Sequence, residues 1–275
     1  MVRPREGEAI VDTPARELRI LSDHELLNLT WTRHVAGERG AEPHVHLRHT
    51  DAFYVLAGEL TFGIGPDLER VVAPAGTLVL VPPGVVHGFD NDGPAETRFL
   101  NVHAPGGGFV DYLRGRVDFD SYDPPEDGGR PMSDAVVRRP GEGESLAVGQ
   151  TTLLMKAEVA DGDGTFYLGE GNLAPGFPGP PPHVHEHLLD SFFVLDGTLT
   201  LRIGDEQVEA AAGSYAVVPP GNVHTFSNPR DEAVRVLNIM APAGFEQYLK
   251  EAAAAGAADP AALAEIASRY DFTPG

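Results

Sequence analysis

The feature that most constrains this chain is a histidine motif that occurs twice with the same internal spacing. Each copy begins with Pro-His-Val-His, at residues 43–46 and 182–185, and an aspartate follows at the same distance, Asp51 or Asp190. Alternate side chains of an extended segment lie on the same face, so each H-x-H pair places two imidazoles side by side. Two adjacent imidazoles form half of a metal site.

A third histidine completes each copy. It follows a Pro-Pro-Gly turn, which occupies residues 82–84 in the first copy and 219–221 in the second. A single H-x-H pair would most simply be two surface histidines, but six histidines that recur at equivalent positions favour metal binding. The predicted ligands are His44, His46, Asp51 and His87 in the first half, and His183, His185, Asp190 and His224 in the second.

The ligand types restrict the metal. Three imidazoles and a carboxylate suit a divalent first-row ion, Fe, Mn, Ni, Co or Zn, with up to one ion in each half. The chain has no cysteine, which excludes thiolate ligands, disulfides and thiolate catalysis.

Other histidines do not follow the repeat. His49 and His187 lie at unequal distances from the two pairs, so we expect them at a pocket rim or on the surface. His103 has Met240 as its counterpart in the second half. We interpret His103 as a hydrogen-bonded histidine in preference to a contact with substrate.

The charge of the chain excludes two classes of partner. A formal net charge of −21 disfavours binding to nucleic acid and to anionic membranes, both of which need clustered Lys and Arg. The sequence has neither an apolar run of membrane-spanning length nor a secretory apolar segment at its start. We therefore expect a soluble, cytoplasmic protein, a monomer or a homodimer, that acts on a small-molecule substrate.

The distribution of glycine and proline along the chain predicts an all-β fold. Its 32 glycines and 24 prolines separate short apolar or alternating runs, which is typical of a sandwich or barrel. The same order of runs occurs twice, so we predict two β-domains, residues 1–130 and 131–275, joined by the Pro-Gly-rich segment 121–131. Three further predictions concern helices 109–116 and 245–255, a last helix 261–269 capped by Asp259, and a loop 171–182 over the second pocket.

These motifs resemble the two cupin motifs, G-x5-H-x-H-x3–4-E-x6-G and G-x5-P-x-G-x2-H-x3-N. The second motif matches in both halves, through Gly76, Pro82, Gly84, His87 and Asn91, and through Gly213, Pro219, Gly221, His224 and Asn228. The first matches at both H-x-H pairs, but the family glutamate is Asp51 or Asp190 here. The resemblance implies two tandem antiparallel jelly-roll barrels, each with its site inside and followed by short helices.

Among two-domain cupins, the chain is most similar to the quercetin 2,3-dioxygenase-like group, because aromatic residues surround its motifs. This resemblance implies a metal-dependent dioxygenase that acts on a small, oxygenated, aromatic or enolisable substrate, with Asp51 and Asp190 as fourth ligand or general base. Two alternatives stay open. One is a metal-dependent isomerase, lyase or decarboxylase, in which the ion acts as a Lewis acid. The other is a non-catalytic protein that binds a small molecule.

Overall fold

The computed structural model describes residues 1–3, 6–256 and 260–275, and the chain divides into two compact units. We call them the first barrel, Gly7–Glu142 with Ala160–Thr165, and the second barrel, Met1–Glu6, Gly143–Val159 and Phe166–Gly275. Residues 131–142, which the sequence repeat assigns to the second half, thus belong to the first unit. The division of the duplicated sequence at residue 130 stays a prediction.

The first barrel is built from two antiparallel sheets. Its described strands are β1 (Glu8–Asp12), β2 (Arg16–His24), β3 (Leu27–His34), β4 (Thr50–Ala57), β5 (Glu59–Ile64), β6 (Glu69–Pro74), β7 (Leu78–Val81), β8 (His87–Asp90), β9 (Thr97–Ala104) and β10 (Val136–Arg138). One sheet has the order β1-β2-β3-β9-β4-β7-β10 and the other β6-β5-β8. Helix α1 (Phe109–Leu113) follows β9, and single 3-10 turns cover Met132–Asp134 and Gly162–Gly164.

The second barrel repeats this plan. Its described strands are β11 (Glu144–Val148), β12 (Thr151–Ala157), β13 (Tyr167–Leu173), β14 (His183–Val184), β15 (Leu189–Asp196), β16 (Thr198–Ile203), β17 (Glu206–Ala211), β18 (Tyr215–Val218), β19 (His224–Ser227), β20 (Val234–Ala241) and β21 (Thr273–Pro274). The sheet orders are β11-β12-β13-β20-β15-β18 and β17-β16-β19-β14-β21. Helices α2 (Phe245–Ala255) and α3 (Pro260–Ala267) lie between β20 and β21.

The core of each barrel lies between its two sheets. In the first barrel, Phe53 and Phe99 of the larger sheet pack with Phe62 of the smaller one, and all three are 1% exposed or less. In the second barrel, Phe192 and Val236 pack against Leu201 in the same way. Burial of each such side chain contributes about 1.5–3 kcal/mol, so this apolar layer fixes how the two sheets face each other.

The predicted all-β fold with short helices after each barrel is confirmed. The extended H-x-H segments form little strand: His44 and Val45 make only isolated antiparallel bridges, and β14 has two residues, His183–Val184. The preceding prolines have no N–H for a ladder, and a tight turn follows each pair. Helix α3 begins at Pro260, whereas the predicted cap Asp259 lies outside the described residues. Among the described residues, no helix is long and apolar enough to cross a membrane.

Candidate metal centres

The first barrel brings its three repeat histidines together. The backbones of His44 and His87 form a reciprocal pair of hydrogen bonds, each 2.9 Å long. The Pro-Pro-Gly turn therefore returns the chain so that His87 lies opposite His44. The ring centroid of His46 lies 4.8 Å from that of His44 and 5.2 Å from that of His87, and the centroids of His44 and His87 are 4.4 Å apart. The three rings form one cluster, as the motif predicts.

The backbone fixes which nitrogen of each ring is free. The Nδ1 atoms of His44 and His87 lie 2.8 and 3.2 Å from the carbonyl oxygens of Glu42 and Val85, and Nδ1 of His46 contacts the carbonyl of Asp120. A carbonyl oxygen can only accept, so each Nδ1 carries the proton and each Nε2 keeps a lone pair. Such outer contacts orient metal-binding imidazoles in general.

Asp51 supplies the carboxylate of this cluster. Its Oδ2 lies 3.1 Å from Nε2 of His87 and 3.7 Å from Nε2 of His46, and its Oδ1 accepts a hydrogen bond from Asn101. Burial would raise the pKa of Asp51, but the neighbouring imidazoles, His103 first and then His46 and His87, outweigh burial and hold that pKa well below its usual range. One ligand atom from each of the four predicted residues lies within 4.8 Å of the others.

The second barrel repeats this geometry with His183 from β14 and His224 from β19. The centroid of the His183 ring lies 4.3 Å from that of His224 and 4.9 Å from that of His185. Nδ1 of each ring again contacts a backbone carbonyl: Pro181 at 2.9 Å, Asn222 at 3.1 Å, and Asp271.

Asp190 is placed differently from Asp51. Its Oδ2 lies 3.2 Å from Nε2 of His224, and its Oδ1 accepts a 2.6 Å hydrogen bond from Asn238. The described group with ligand atoms within 4.8 Å comprises only His183, His185 and His224. The structure therefore joins Asp190 to the triad through one histidine.

The contact between the aspartate and the third histidine of each site shows whether the site suits a metal ion. When Nδ1 of His224 carries the proton, Nε2 of His224 and Oδ2 of Asp190 are both acceptors. Two acceptors 3.2 Å apart need a proton or a cation between them, and the same holds for His87 and Asp51 at 3.1 Å. Nε2 of His46 is also buried without a hydrogen-bond partner in the described structure. The donor set fits a divalent ion in both barrels.

The surroundings of these rings shift their pKa values in opposite directions. Burial lowers the pKa of His44 and of His183 to about 4, and the adjacent His87 or His224 adds to the shift. Burial alone would also lower the pKa of His224, but the hydrogen bond and charge of Asp190 outweigh it and raise that pKa. The neutral imidazole is the form that binds a metal.

Two residues of the sites were not predicted from the sequence. The Asp120 carboxylate accepts hydrogen bonds from the backbone N–H groups of residues 47 and 48, at 3.2 and 2.7 Å. Asp271 does the same for residues 186–188, at 2.7, 2.9 and 2.9 Å. Both aspartates also hold an H-x-H histidine through their carbonyls. Asp120 and Asp271 follow the third histidine of their sites at different sequence separations, so a comparison of the two repeats does not identify them.

Two further predictions concern the remaining histidines. His187 is exposed, as expected, but the prediction of a rim or surface position for His49 is wrong. His49 is 2% exposed, because its Nδ1 donates to the buried Asp120 carboxylate at 3.0 Å. His103 is hydrogen-bonded, with Nε2 donating to Oδ1 of Asn101 at 3.0 Å.

A cavity of about 390 Å³ reaches the second site. On the side of the candidate metal centre, its wall includes His183, His185, Asp190 and Asn238. The remaining wall is mostly apolar, with Phe177, Phe192, Phe226, Leu249 and Phe272 among its residues. Residues 177–181 of the loop predicted over the second pocket also line it, whereas residues 171–173 of the predicted loop belong to strand β13. The arrangement can enclose a small ring compound next to the histidines.

Known proteins share this fold. Quercetin 2,3-dioxygenase of Bacillus subtilis (strain 168) is 23% identical over 110 residues, which cover 40% of this chain and 32% of that enzyme. The matches span about a third or less of the first curated relatives. Among solved structures, oxalate decarboxylase of Bacillus subtilis at pH 4.6 has a TM-score of 0.62 at 14% identity, covering 88% of this chain and 77% of that one.

A protein of another kind also has this fold: procruciferin, an 11S globulin of Brassica napus, has a TM-score of 0.59 at 11% identity, covering 88% of this chain and 84% of that one. At such identities the likeness shows the fold alone. The family model of the cupin domain matches residues 31–103 and 169–240, just over half of the chain. With one match in each barrel, this chain belongs to the cupin family as a two-domain member.

Proposed function

We propose that this chain is a metal-dependent dioxygenase of the quercetinase-like type, acting on a small oxygenated compound with an aromatic or enolisable group. The observation that carries the proposal is the cavity of the second barrel, in which the apolar wall and two of the triad histidines, His183 and His185, face the same space of about 390 Å³. An aromatic substrate would pack against the apolar wall and present its oxygen atoms to the triad. The match to quercetin 2,3-dioxygenase supports the same reaction class.

In this proposal His183, His185 and His224 would hold a divalent first-row ion, with Asp190 as the carboxylate beside them. The first barrel would hold another with His44, His46, His87 and Asp51. When bound, the ion supplies positive charge that stabilises a deprotonated enol or phenol oxygen. Solved oxalate decarboxylase from Bacillus subtilis has Mn(II) centres, so manganese is one of the metals to test first.

The residues of the chain would perform the remaining tasks. Asp190 would accept the hydroxyl proton of the substrate, because its carboxylate lies in the cavity wall and Asn238 fixes its Oδ1 at 2.6 Å. Phe192 and Phe226, whose centroids are 4.9 Å apart, would contact the substrate ring. Loop residues 177–181 would cover the substrate and exclude water.

The test combines metal content with oxygen uptake. We would purify the wild type and the variants His44→Ala/His46→Ala and His183→Ala/His185→Ala without chelator, and measure their metal by elemental analysis. After loading with Mn, Fe, Ni, Co or Zn, each would be supplied with flavonols and other enols under ¹⁸O₂. We expect each double variant to lose the metal of its own barrel, and oxygen uptake to depend on the second barrel, with both labelled atoms in the products.

Three results would overturn the proposal. Metal-dependent substrate loss without oxygen uptake would indicate an isomerase, lyase or decarboxylase. Substrate binding without turnover would indicate a binding protein. Absence of metal after loading with all five ions would remove the basis of any metal-dependent reaction.

A further inference from the structure

The first barrel contains a second cluster of histidines beside the repeated triad. His46, His49 and His103 are 4, 2 and 2% exposed, and one ring nitrogen of each lies within 4.8 Å of the other two. The centroid of His49 lies 4.1 Å from that of His46 and 5.0 Å from that of His103. We call these three residues the His46–His49–His103 cluster.

Asp120 fixes the protonation of two of the rings. Its carbonyl oxygen contacts Nδ1 of His46, and its carboxylate lies 3.0 Å from Nδ1 of His49. Both partners are acceptors, so each Nδ1 carries the proton and each Nε2 keeps its lone pair. A carboxylate that holds a histidine in this way also makes the opposite nitrogen a stronger ligand.

A chain of hydrogen bonds fixes the third ring. The side-chain nitrogen of Asn101 donates to the carboxylate of Asp51, so the side-chain oxygen of Asn101 faces His103. Nε2 of His103, 3.0 Å from that oxygen, must therefore carry the proton. The lone pair of His103 is then on Nδ1.

The three lone pairs have no partner. Nε2 of His46, Nε2 of His49 and Nδ1 of His103 are buried and make no hydrogen bond in the described structure. Acceptors cannot satisfy one another, and buried polar atoms without partners are unfavourable. A cation would satisfy all three.

This cluster is a property of the first barrel alone. In the second barrel, Leu188 lies at the position of His49, and Met240 pairs with Asp190 as His103 pairs with Asp51. An aliphatic chain and a thioether thus replace the two additional imidazoles. The duplicated triad therefore does not explain the cluster.

We propose that the His46–His49–His103 cluster is a further divalent metal site, so that the first barrel can hold two ions and the second barrel one. With both ions bound, His46 belongs to the cluster, and His44, His87 and Asp51 hold the other ion. Every ligand atom is then used once. A set of three neutral imidazoles suits Zn(II), Co(II), Ni(II) or Cu(II) better than Mg(II) or Ca(II).

Zinc stoichiometry tests this site directly. Chelator-treated full-length protein would be loaded with Zn(II), separated from free ion by gel filtration and analysed for zinc per chain. We expect three ions in the wild type and two in each of His49→Leu and His103→Met, which introduce the residues of the second barrel. The control His187→Leu removes an exposed histidine outside the cluster and should keep three.

The outcomes separate this site from the proposed reaction. Two ions in the wild type, or three in wild type and variants alike, would overturn the proposal. A variant that loses its fold would also lose the other two ions. In that case, anomalous diffraction from crystals of the zinc-loaded wild type tests the site. A peak among the three nitrogens supports the site, and peaks only at the two triads overturn the proposal. None of these measurements needs turnover, so they test the additional metal site even if the protein is not a dioxygenase.

Discussion

The backbone carbonyl of Asp120 accepts the Nδ1 proton of His46, while the carboxylate of Asp120 accepts the N–H groups of residues 47 and 48. One residue thus fixes both the rotation of a candidate metal ligand and the turn that follows it. Asp271 makes the equivalent contacts with His185 and residues 186–188 of the second barrel. Both centres therefore depend on a residue outside the strands, in the segment that follows helix α1 or helix α3.

Replacement of Asp120 by alanine should weaken metal binding in the first barrel by about 10- to 100-fold, the usual effect of losing an outer-shell partner. Loss of the charged hydrogen bonds should also lower the free energy of unfolding by about 3 kcal/mol. Chelator competition, with His183→Ala/His185→Ala present in all samples, would report the first barrel alone.

Arg48→Ala is the matched control for Asp120→Ala. The Arg48 side chain is 75% exposed and lies 3.5 Å from the Asp120 carboxylate, so its loss should change stability by less than about 1 kcal/mol. Equal metal affinity in Asp120→Ala and Arg48→Ala would contradict a role for Asp120 in orienting the site.

His34 should make the metal-free protein less stable in acid. Burial, aided by the charge of Arg16, lowers its folded pKa to about 4, against about 6.5 in the unfolded chain. Between these values only the unfolded state binds the proton, so stability falls as pH falls, by about 1.4 kcal/mol per pH unit. Below pH 4 both states are protonated and this contribution becomes constant.

His34→Leu should reduce that slope. Leucine is the residue that the second barrel has at this position, since Leu173 pairs with Val234 as His34 pairs with Thr97. Urea unfolding in chelator at pH 7, 6 and 5 would give the slopes of wild type and variant. Identical slopes would show that the folded His34 titrates normally.

Much of the fold follows from the duplicated motifs, because the spacing of H-x-H, turn and third histidine repeats the geometry of one barrel. Strand β5 (Glu59–Ile64) is one of the short alternating runs bounded by glycine, since Gly58 precedes it and Gly65 follows it. Strand β2 (Arg16–His24) was not predicted. It lies near the edge of its sheet and mixes charged with apolar residues, so its apolar signal is weak.

The repeat also explains what the sequence could not show about the sites. A candidate ligand is predictable where both copies keep the same spacing, as for His44 and His183. Asp120 acts through a contact 74 residues away from His46, and only the folded chain brings the two together. The burial of His49 depends on the same aspartate, because the hydrogen bond from His49 to the Asp120 carboxylate turns the ring inward.

Asp190→Asn should abolish most oxygenase activity, whereas Asp51→Asn should preserve it. Asparagine keeps the size of the side chain but removes the proton acceptor, so we expect oxygen uptake to fall by roughly 10²- to 10⁴-fold when the second barrel performs the reaction. Metal content, measured on the same samples, would show whether the ion is retained. A loss of activity confined to Asp51→Asn would instead assign the chemistry to the first barrel.

Ala253→Phe should obstruct the substrate cavity of the second barrel. Ala253 of helix α2 lines that cavity, whereas the adjacent Ala254 is exposed and outside the lining, so Ala254→Phe changes the same helix by the same group without filling the pocket. We expect kcat/KM for a flavonol to fall by roughly tenfold or more in Ala253→Phe and to stay within about twofold in Ala254→Phe. Oxygen uptake over a range of flavonol concentrations would measure both values. Equal kcat/KM in the two variants would mean that substrate does not occupy this cavity, and the search for its site would move to the first barrel.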